Sequence, residues 1–122
     1  MNKEKSITFS IVVLILLVAG GIIYFKSTGF NTQNTVSEEE ARWIGEHSVL
    51  YTQTGCIHCE EQEDLFGENF KYLHIIDCAE NQEKALVCNL GGISATPTWI
   101  INGERYVGIQ TVERLKELTG YK

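Results

Sequence analysis

Residues 51–66 read YTQTGCIHCEEQEDLF, in which Cys56 and Cys59 are separated by Ile57 and His58. The cysteine pair lies where an apolar run gives way to a charged one, so the pattern predicts a strand that ends just before a helix. Three interpretations of the pair are open at this stage. The pair could serve as a reactive dithiol, as half of a metal site or as an ordinary structural disulfide.

Reactive thiol chemistry is favoured by the predicted place of Cys56 at the start of the helix. Unpaired backbone N–H groups and the positive end of the helix dipole would then point at the Cys56 sulfur. They favour the thiolate, which is the form that attacks disulfides. Cys56 is therefore the predicted nucleophile, and Cys59, one turn further along, is the predicted resolving thiol.

His58 is the predicted pKa-tuning residue of this pair. An imidazolium close to the sulfur favours the thiolate, and a more stable reduced form makes the pair a stronger oxidant. The alternative is a solvated surface histidine without a role.

The rest of the domain alternates between strand and helix patterns. Ser37 and Glu40 have capping-box spacing, which predicts a first helix from Ser37. Strands are predicted at 48–52, 71–77 and in both halves of 98–109 around Asn102-Gly103, and helices at 56–66, 81–90 and 111–120. The order β-α-β-α-β-β-α, with an extra N-terminal helix and a cysteine pair at the first strand-to-helix junction, predicts an α/β thioredoxin-like fold.

Pro97, in the segment SATPTW, is the one proline of the chain. An isolated X-Pro bond is cis in only about 5–6% of cases. The place of Pro97 before a predicted central strand favours the cis form, with the Thr96 backbone next to the dithiol as a substrate-binding element. The alternative is an ordinary trans proline that opens an edge strand.

Cys78 and Cys88 form a second potential pair. Cys78 ends the predicted second strand and Cys88 lies near the end of the next helix, so the chain can bring them together. A bridge would stabilise the domain by roughly 2.5 to 3 kcal/mol. A second redox pair that relays electrons from the first is the functional alternative. A zinc site is disfavoured, because the spacing lacks the second close cysteine pair of a zinc ribbon.

Residues 7–25 form a run of 19 residues without a charge. As a helix the run would be about 28 Å long, roughly the hydrocarbon thickness of a bilayer. It favours a transmembrane anchor, with a cytoplasmic N-terminus at 1–6. Lysines before the run favour a single-pass cell-membrane protein whose domain, residues 37–122 behind a flexible tether at 26–36, is extracytoplasmic. The alternative is a cleaved secretory signal.

The domain is acidic, with seven basic and fifteen acidic residues from Val36 onward and a net charge of −8. Such a surface is repelled by nucleic acid and by anionic lipid headgroups, so a nucleic-acid partner is excluded. All four cysteines lie in the domain, as expected on an oxidising face of the membrane.

Separated motifs over residues 48–122 resemble the thioredoxin-like domain associated with bacterial vitamin K epoxide reductase homologues. These motifs are CIHC, EDLFGENF, IIDC, GISATPTWIING and the terminal TGY. The resemblance implies that Cys56 attacks, Cys59 resolves, Pro97 is cis, and Cys78 and Cys88 form a structural bridge. Leu50 departs from thioredoxin, which has a buried acid there.

The resulting prediction is a membrane-anchored thiol-disulfide oxidoreductase without a cofactor or metal. It would pass a disulfide to reduced or misfolded secreted proteins and be re-oxidised by a vitamin K epoxide reductase-like or other quinone-linked membrane partner. Two rivals are open. One is a membrane-tethered disulfide reductase or isomerase that uses the same residues, and the other is a non-catalytic module that binds a metal or a partner.

Overall fold

The computed structural model describes residues 3–27 and 36–122, which belong to two separate compact units. The described part of the first unit is the helix α1, Lys3–Ser27. Across the described residues, no helix has both the length and the apolar character that crossing a bilayer requires. The predicted transmembrane helix over 7–25 is therefore not supported. Parts of the predicted N-terminus and tether, residues 1–2 and 28–35, lie outside the described residues.

The second unit is a four-stranded mixed sheet with helices, consistent with the predicted thioredoxin-like fold. The elements are α2 Glu38–His47, β1 Ser48–Thr52, α3 Ile57–Asp64, a 3₁₀ helix Gly67–Tyr72, β2 Ile75–Asp77, α4 Gln82–Leu90, β3 Thr98–Ile101, β4 Glu104–Val107 and α5 Val112–Thr119. The strand order is β2-β1-β3-β4. Strand β1 pairs parallel with β2 and antiparallel with β3, and β3 pairs antiparallel with β4.

The core lies around the two central strands. Alternate residues of β1 are buried, and Leu50 lies opposite Trp99 of β3 in the pairing register. Trp99 contacts Phe66, with ring centroids 6.2 Å apart. Full burial of each such side chain contributes about 1.5–3 kcal/mol. The other buried core residues are Val36, Ala41, Ile44, Leu73, Ile101 and Leu115.

Local sequence signals place several element ends where they were predicted. The Ser37 side chain and Glu40 form a reciprocal capping box at the start of α2. Asn102 and Gly103 have φ values of 53° and 81°. Positive φ at both positions is what a two-residue type I′ hairpin turn requires. Helix α5 ends at Gly120 in the left-handed conformation, as expected of a C-terminal glycine.

The segment between α3 and β2 differs from the prediction. The helix predicted to reach Phe66 ends at Asp64, and most of the strand predicted over 71–77 is absent. Residues 67–72 instead form a 3₁₀ helix, and strand pairing begins at Ile75. The physical reason is that Phe66 and Leu73 are both buried in the core. The tight turns between them bring both side chains to the same core, which a continuous strand would not do.

Candidate active site around the Cys56–Cys59 disulfide

Cys56 is the N-cap of α3 and has an extended backbone conformation. It follows Gly55, whose φ of +83° turns the chain from the end of β1 toward the helix. Only glycine adopts that conformation without steric cost. The Cys59 N–H donates to the Cys56 Sγ at 3.3 Å, so the sulfur occupies the place of a capping acceptor.

Cys56 and Cys59 form a disulfide, with their Cα atoms 5.2 Å apart. The two sulfurs differ in access to solvent. Cys56 is partly exposed, whereas Cys59 is 3% exposed. Ile57, between them, is 70% exposed and stands at the surface. An incoming thiolate therefore reaches Cys56 in preference to Cys59.

Thr96 lies against the disulfide, although 40 residues separate it from Cys56 in sequence. Its hydroxyl donates to the Cys56 Sγ at 3.5 Å, and its carbonyl oxygen lies 3.6 Å from the same sulfur. The peptide bond between Thr96 and Pro97 is cis, and Pro97 is buried. The predicted nucleophile and the predicted cis-proline segment are thus adjacent.

His58 lies on the exposed side of α3, the helix that begins at the Cys56–Cys59 pair and is called the dithiol helix below. Its Nδ1 is 3.0 Å from a carboxylate oxygen of Glu61, and both side chains are largely exposed. Within the described residues, the hydrogen-bond partner of His58 is this carboxylate rather than a cysteine sulfur. The structure therefore shows an imidazole held by Glu61, and tuning of Cys56 by His58 stays a prediction.

The loop before Cys56 is held by an acid from β2. Asp77 accepts hydrogen bonds from the N–H of Thr54 at 3.1 Å and from its hydroxyl. The Thr54 hydroxyl, together with the N–H groups of Ala79 and Thr54, holds the pKa of Asp77 below its ordinary value, against the effect of burial. The Asp77 carboxylate thereby stays ionised and fixes the loop that leads to the dithiol.

Glu63 lies on α3 among other carboxylates. Its partial burial raises the pKa of this carboxyl, and the charges of Asp64, Glu60 and Asp77 raise it further. Helix α3 and its surroundings therefore carry concentrated negative charge. Glu60, on the same helix, is exposed.

Cys78 and Cys88 form the second disulfide, with Cα atoms 5.9 Å apart. Cys88 is 4% exposed in α4, and the Cys78 N–H donates to the carbonyl of Thr52 at the end of β1. The bridge thus ties α4 to the chain just after β2, beside the end of β1 from which the loop to Cys56 departs. Its role as a purely structural bridge stays a prediction.

Two polar contributions to the site were not predicted as such. The sequence indicated the Thr96 backbone, whereas the structure also places the Thr96 hydroxyl against the Cys56 sulfur. Gln62, within the helix predicted over 56–66, was assigned no role from the sequence. It is fully buried and bonds to Trp99 and Gln110. A polar residue on the apolar face of a short helix was the available signal.

Comparison with known proteins finds several similar solved structures. The crystal structure of a glutaredoxin from Archaeoglobus fulgidus aligns with 59% of this chain and 84% of its own length, at 20% sequence identity and a TM-score of 0.42. No protein-family model matches the chain. The strand order β2-β1-β3-β4 and the cysteine pair at the start of α3 are the features of this chain that agree with a thioredoxin-like fold.

Proposed function

We propose that this protein is a thiol-disulfide oxidoreductase that passes the Cys56–Cys59 disulfide to reduced protein substrates. One observation carries the proposal. The more exposed sulfur, Cys56, accepts hydrogen bonds from a helix N-terminus and from the Thr96 hydroxyl, while its disulfide partner is buried. A structural disulfide needs neither this asymmetry of access nor donors aimed at one sulfur.

Disulfide transfer would proceed in two exchange steps. A substrate thiolate attacks the Cys56 sulfur, the Cys56–Cys59 bond breaks, and Cys59 leaves as a thiolate that takes up a proton. A second thiolate of the substrate then attacks the substrate sulfur of this mixed disulfide and releases the Cys56 thiolate. The substrate loses two electrons and gains a disulfide, and the Cys56–Cys59 pair gains those two electrons.

The hydrogen bonds to Cys56 support transfer of a disulfide from the protein to its substrate. Donors from Cys59 N–H and the Thr96 hydroxyl stabilise a thiolate more than a disulfide sulfur, because hydrogen bonds to a charged acceptor are the stronger ones. A stabilised reduced form raises the reduction potential. We therefore favour an oxidase over a reductase that uses the same residues.

Location and partners are part of the proposal. The 19-residue uncharged run at 7–25 and the placement of all four cysteines in the domain motivate a membrane-attached, extracytoplasmic domain. Secreted proteins in need of disulfides would then be the substrates, and a vitamin K epoxide reductase-like or other quinone-linked membrane protein would re-oxidise the pair. When membranes that contain the full chain are washed with alkaline carbonate, we expect the protein to stay in the membrane fraction. Complete extraction by carbonate would refute the proposed membrane anchor.

The reduction potential of the Cys56–Cys59 pair tests the function directly. The full chain is equilibrated with glutathione buffers, and the two cysteine pairs are followed separately by alkylation and mass spectrometry. A potential near or above about −180 mV supports the oxidase, and one near about −270 mV indicates a reductase.

Matched variants separate catalysis from structure. Cys56→Ser should abolish exchange, whereas Cys59→Ser should trap a mixed disulfide between Cys56 and the substrate. If the wild-type pair does not exchange with glutathione at all, the protein is a non-catalytic module and the proposal fails.

A further inference from the structure

Gln62 is a fully buried polar side chain in the dithiol helix, one turn after Cys59. Its Oε1 accepts hydrogen bonds from the Trp99 indole N–H at 3.0 Å and from the Gln110 backbone N–H at 2.7 Å. Its Nε2 donates to the Gln110 carbonyl at 3.1 Å. A buried amide is costly unless its donors and acceptor are satisfied, so this site is built around a glutamine.

The backbone that Gln62 holds belongs to the loop between β4 and α5. The part of this loop considered below is residues 108–110. At its start, the Gly108 N–H donates to the Pro97 carbonyl at 2.8 Å. The Gln110 side chain adds bonds to the carbonyls of Val107 and Gly108. The loop therefore touches the cis-proline segment at one end and the dithiol helix at the other.

These contacts close a ring that starts and ends at the nucleophile. From Cys56 the ring runs along α3 to Gln62, across to Gln110, and back through the loop to Gly108. It continues through the Pro97 carbonyl to Thr96, whose hydroxyl donates to the Cys56 sulfur. Gln62 is the side chain that joins the helix half of the ring to the loop half.

We infer that Gln62 is a positioning residue that fixes loop 108–110 beside the dithiol and thereby sets the affinity for a polypeptide substrate. The inference rests on the proposed oxidoreductase function and deepens it. Val107 and Ile109 leave 57% and 40% of their surfaces exposed on this part of the chain. Holding the loop keeps Ile109 in place next to Val107, the last residue of β4, so that both can contact an extended substrate segment, whereas a small thiol that reaches only Cys56 does not need them.

The test compares two reductants of the oxidised protein, a ten-residue peptide dithiol and dithiothreitol. In Gln62→Met, which keeps the size of the side chain but cannot bond to Gln110, we expect the KM for the peptide to rise at least fivefold. The rate constant with dithiothreitol should stay within twofold of wild type. Ile44→Ala, a core variant on α2, serves as a control for lost stability. It should not produce a selective effect on the peptide KM compared with the rate constant for dithiothreitol.

Gln62→Glu supplies a readout that a merely structural role would not move. The introduced carboxyl can donate to the Gln110 carbonyl only when it is protonated, and its ionised form repels that carbonyl. We therefore expect its peptide KM, relative to wild type at the same pH, to be near one at pH 5.5 and to rise several-fold by pH 8.5.

Each outcome decides the matter. A selective loss with the peptide together with the pH dependence of Gln62→Glu supports the inference. Equal losses with both reductants, or an unchanged peptide KM in Gln62→Met, would overturn it while leaving the oxidoreductase proposal intact. A wild-type protein that reacts with neither reductant would overturn both.

Discussion

The hydroxyl of Thr96 gives the most direct test of how the fold tunes the dithiol. Among residues 3–27 and 36–122 it is one of two donors to the Cys56 Sγ, at 3.5 Å, and the Cys59 N–H at 3.3 Å is the other. Thr96→Val removes this donor at nearly constant side-chain shape. Because the hydroxyl favours the Cys56 thiolate over the disulfide, its loss should destabilise the reduced form and lower the reduction potential.

The size of the effect follows from the charge of the acceptor. A hydrogen bond to a charged group contributes about 1.5–3 kcal/mol. Cys56 is partly exposed, so water replaces some of the lost bond and the lower end of that range applies. For a two-electron couple about 1.4 kcal/mol corresponds to about 30 mV, or a tenfold change in the equilibrium constant with glutathione. The reduction potential of Thr96→Val should therefore be lower than that of wild type by about 30 mV.

The assay is equilibration with glutathione buffers, with each cysteine pair quantified by alkylation and mass spectrometry. Thr96→Ser keeps the hydroxyl and should stay near the wild-type potential. Thr119→Val is the matched control, since Thr119 is buried and its hydroxyl donates to the Leu115 carbonyl within α5. A Thr96→Val potential equal to or higher than that of wild type would show that the hydroxyl does not stabilise the thiolate.

Three further predictions concern stability, each measured by urea unfolding. Replacing Cys78 and Cys88 together by alanine opens a loop closed by residues ten apart and should cost about 2.8 kcal/mol, and a loss below about 1 kcal/mol would contradict the loop-entropy argument. Gly45→Ala should cost about 1–3 kcal/mol despite alanine's better helix propensity, because the new Cβ would lie 2.1 Å from the Tyr72 carbonyl oxygen, and a more stable variant would refute this. The Lys116 ammonium lowers the pKa of Glu40 from its ordinary value of 4.5 to about 2. The ion pair therefore stabilises the fold fully at pH values above 4.5, and this stabilisation is lost as the pH falls toward 2. Glu40→Gln should accordingly be less stable at pH 7 and lose less stability on acidification, and parallel acid profiles would exclude the pair as a contributor.

Local chemistry explains which parts of the fold were predictable. A capping box at Ser37 and an Asn-Gly turn at 102–103 act within a few residues, so sequence spacing alone indicates them. The structure of residues 71–77 does not depend on local signals of this kind. Their β-forming composition suits a strand, yet the strand register with Leu50–Thr52 of β1 covers only Ile75–Asp77, preceded by one hydrogen bond from the Leu50 N–H to the His74 carbonyl. The length of a strand depends on its neighbour, which the local pattern does not contain.

The same distinction applies to the candidate site. The spacing of Cys56 and Cys59 and their place at the start of a helix are local features, and both were predicted. The Thr96 hydroxyl lies 40 residues from its sulfur, and Gln62 lies 48 residues from Gln110. Such pairs come together only through the order β2-β1-β3-β4 and through side-chain directions that a single sequence does not give.

The two disulfides also set how far the domain can be stretched when pulled from its ends. Cys78 and Cys88 are ten residues apart in sequence but 5.9 Å apart in space, so at about 3.4 Å per residue the bridge hides about 28 Å of extended chain. Cys56 and Cys59, three residues apart and separated by 5.2 Å, hide only about 5 Å. Single-molecule extension would therefore distinguish reduction of the second pair from turnover of the first, and the length of one unfolded molecule would report which bond had opened.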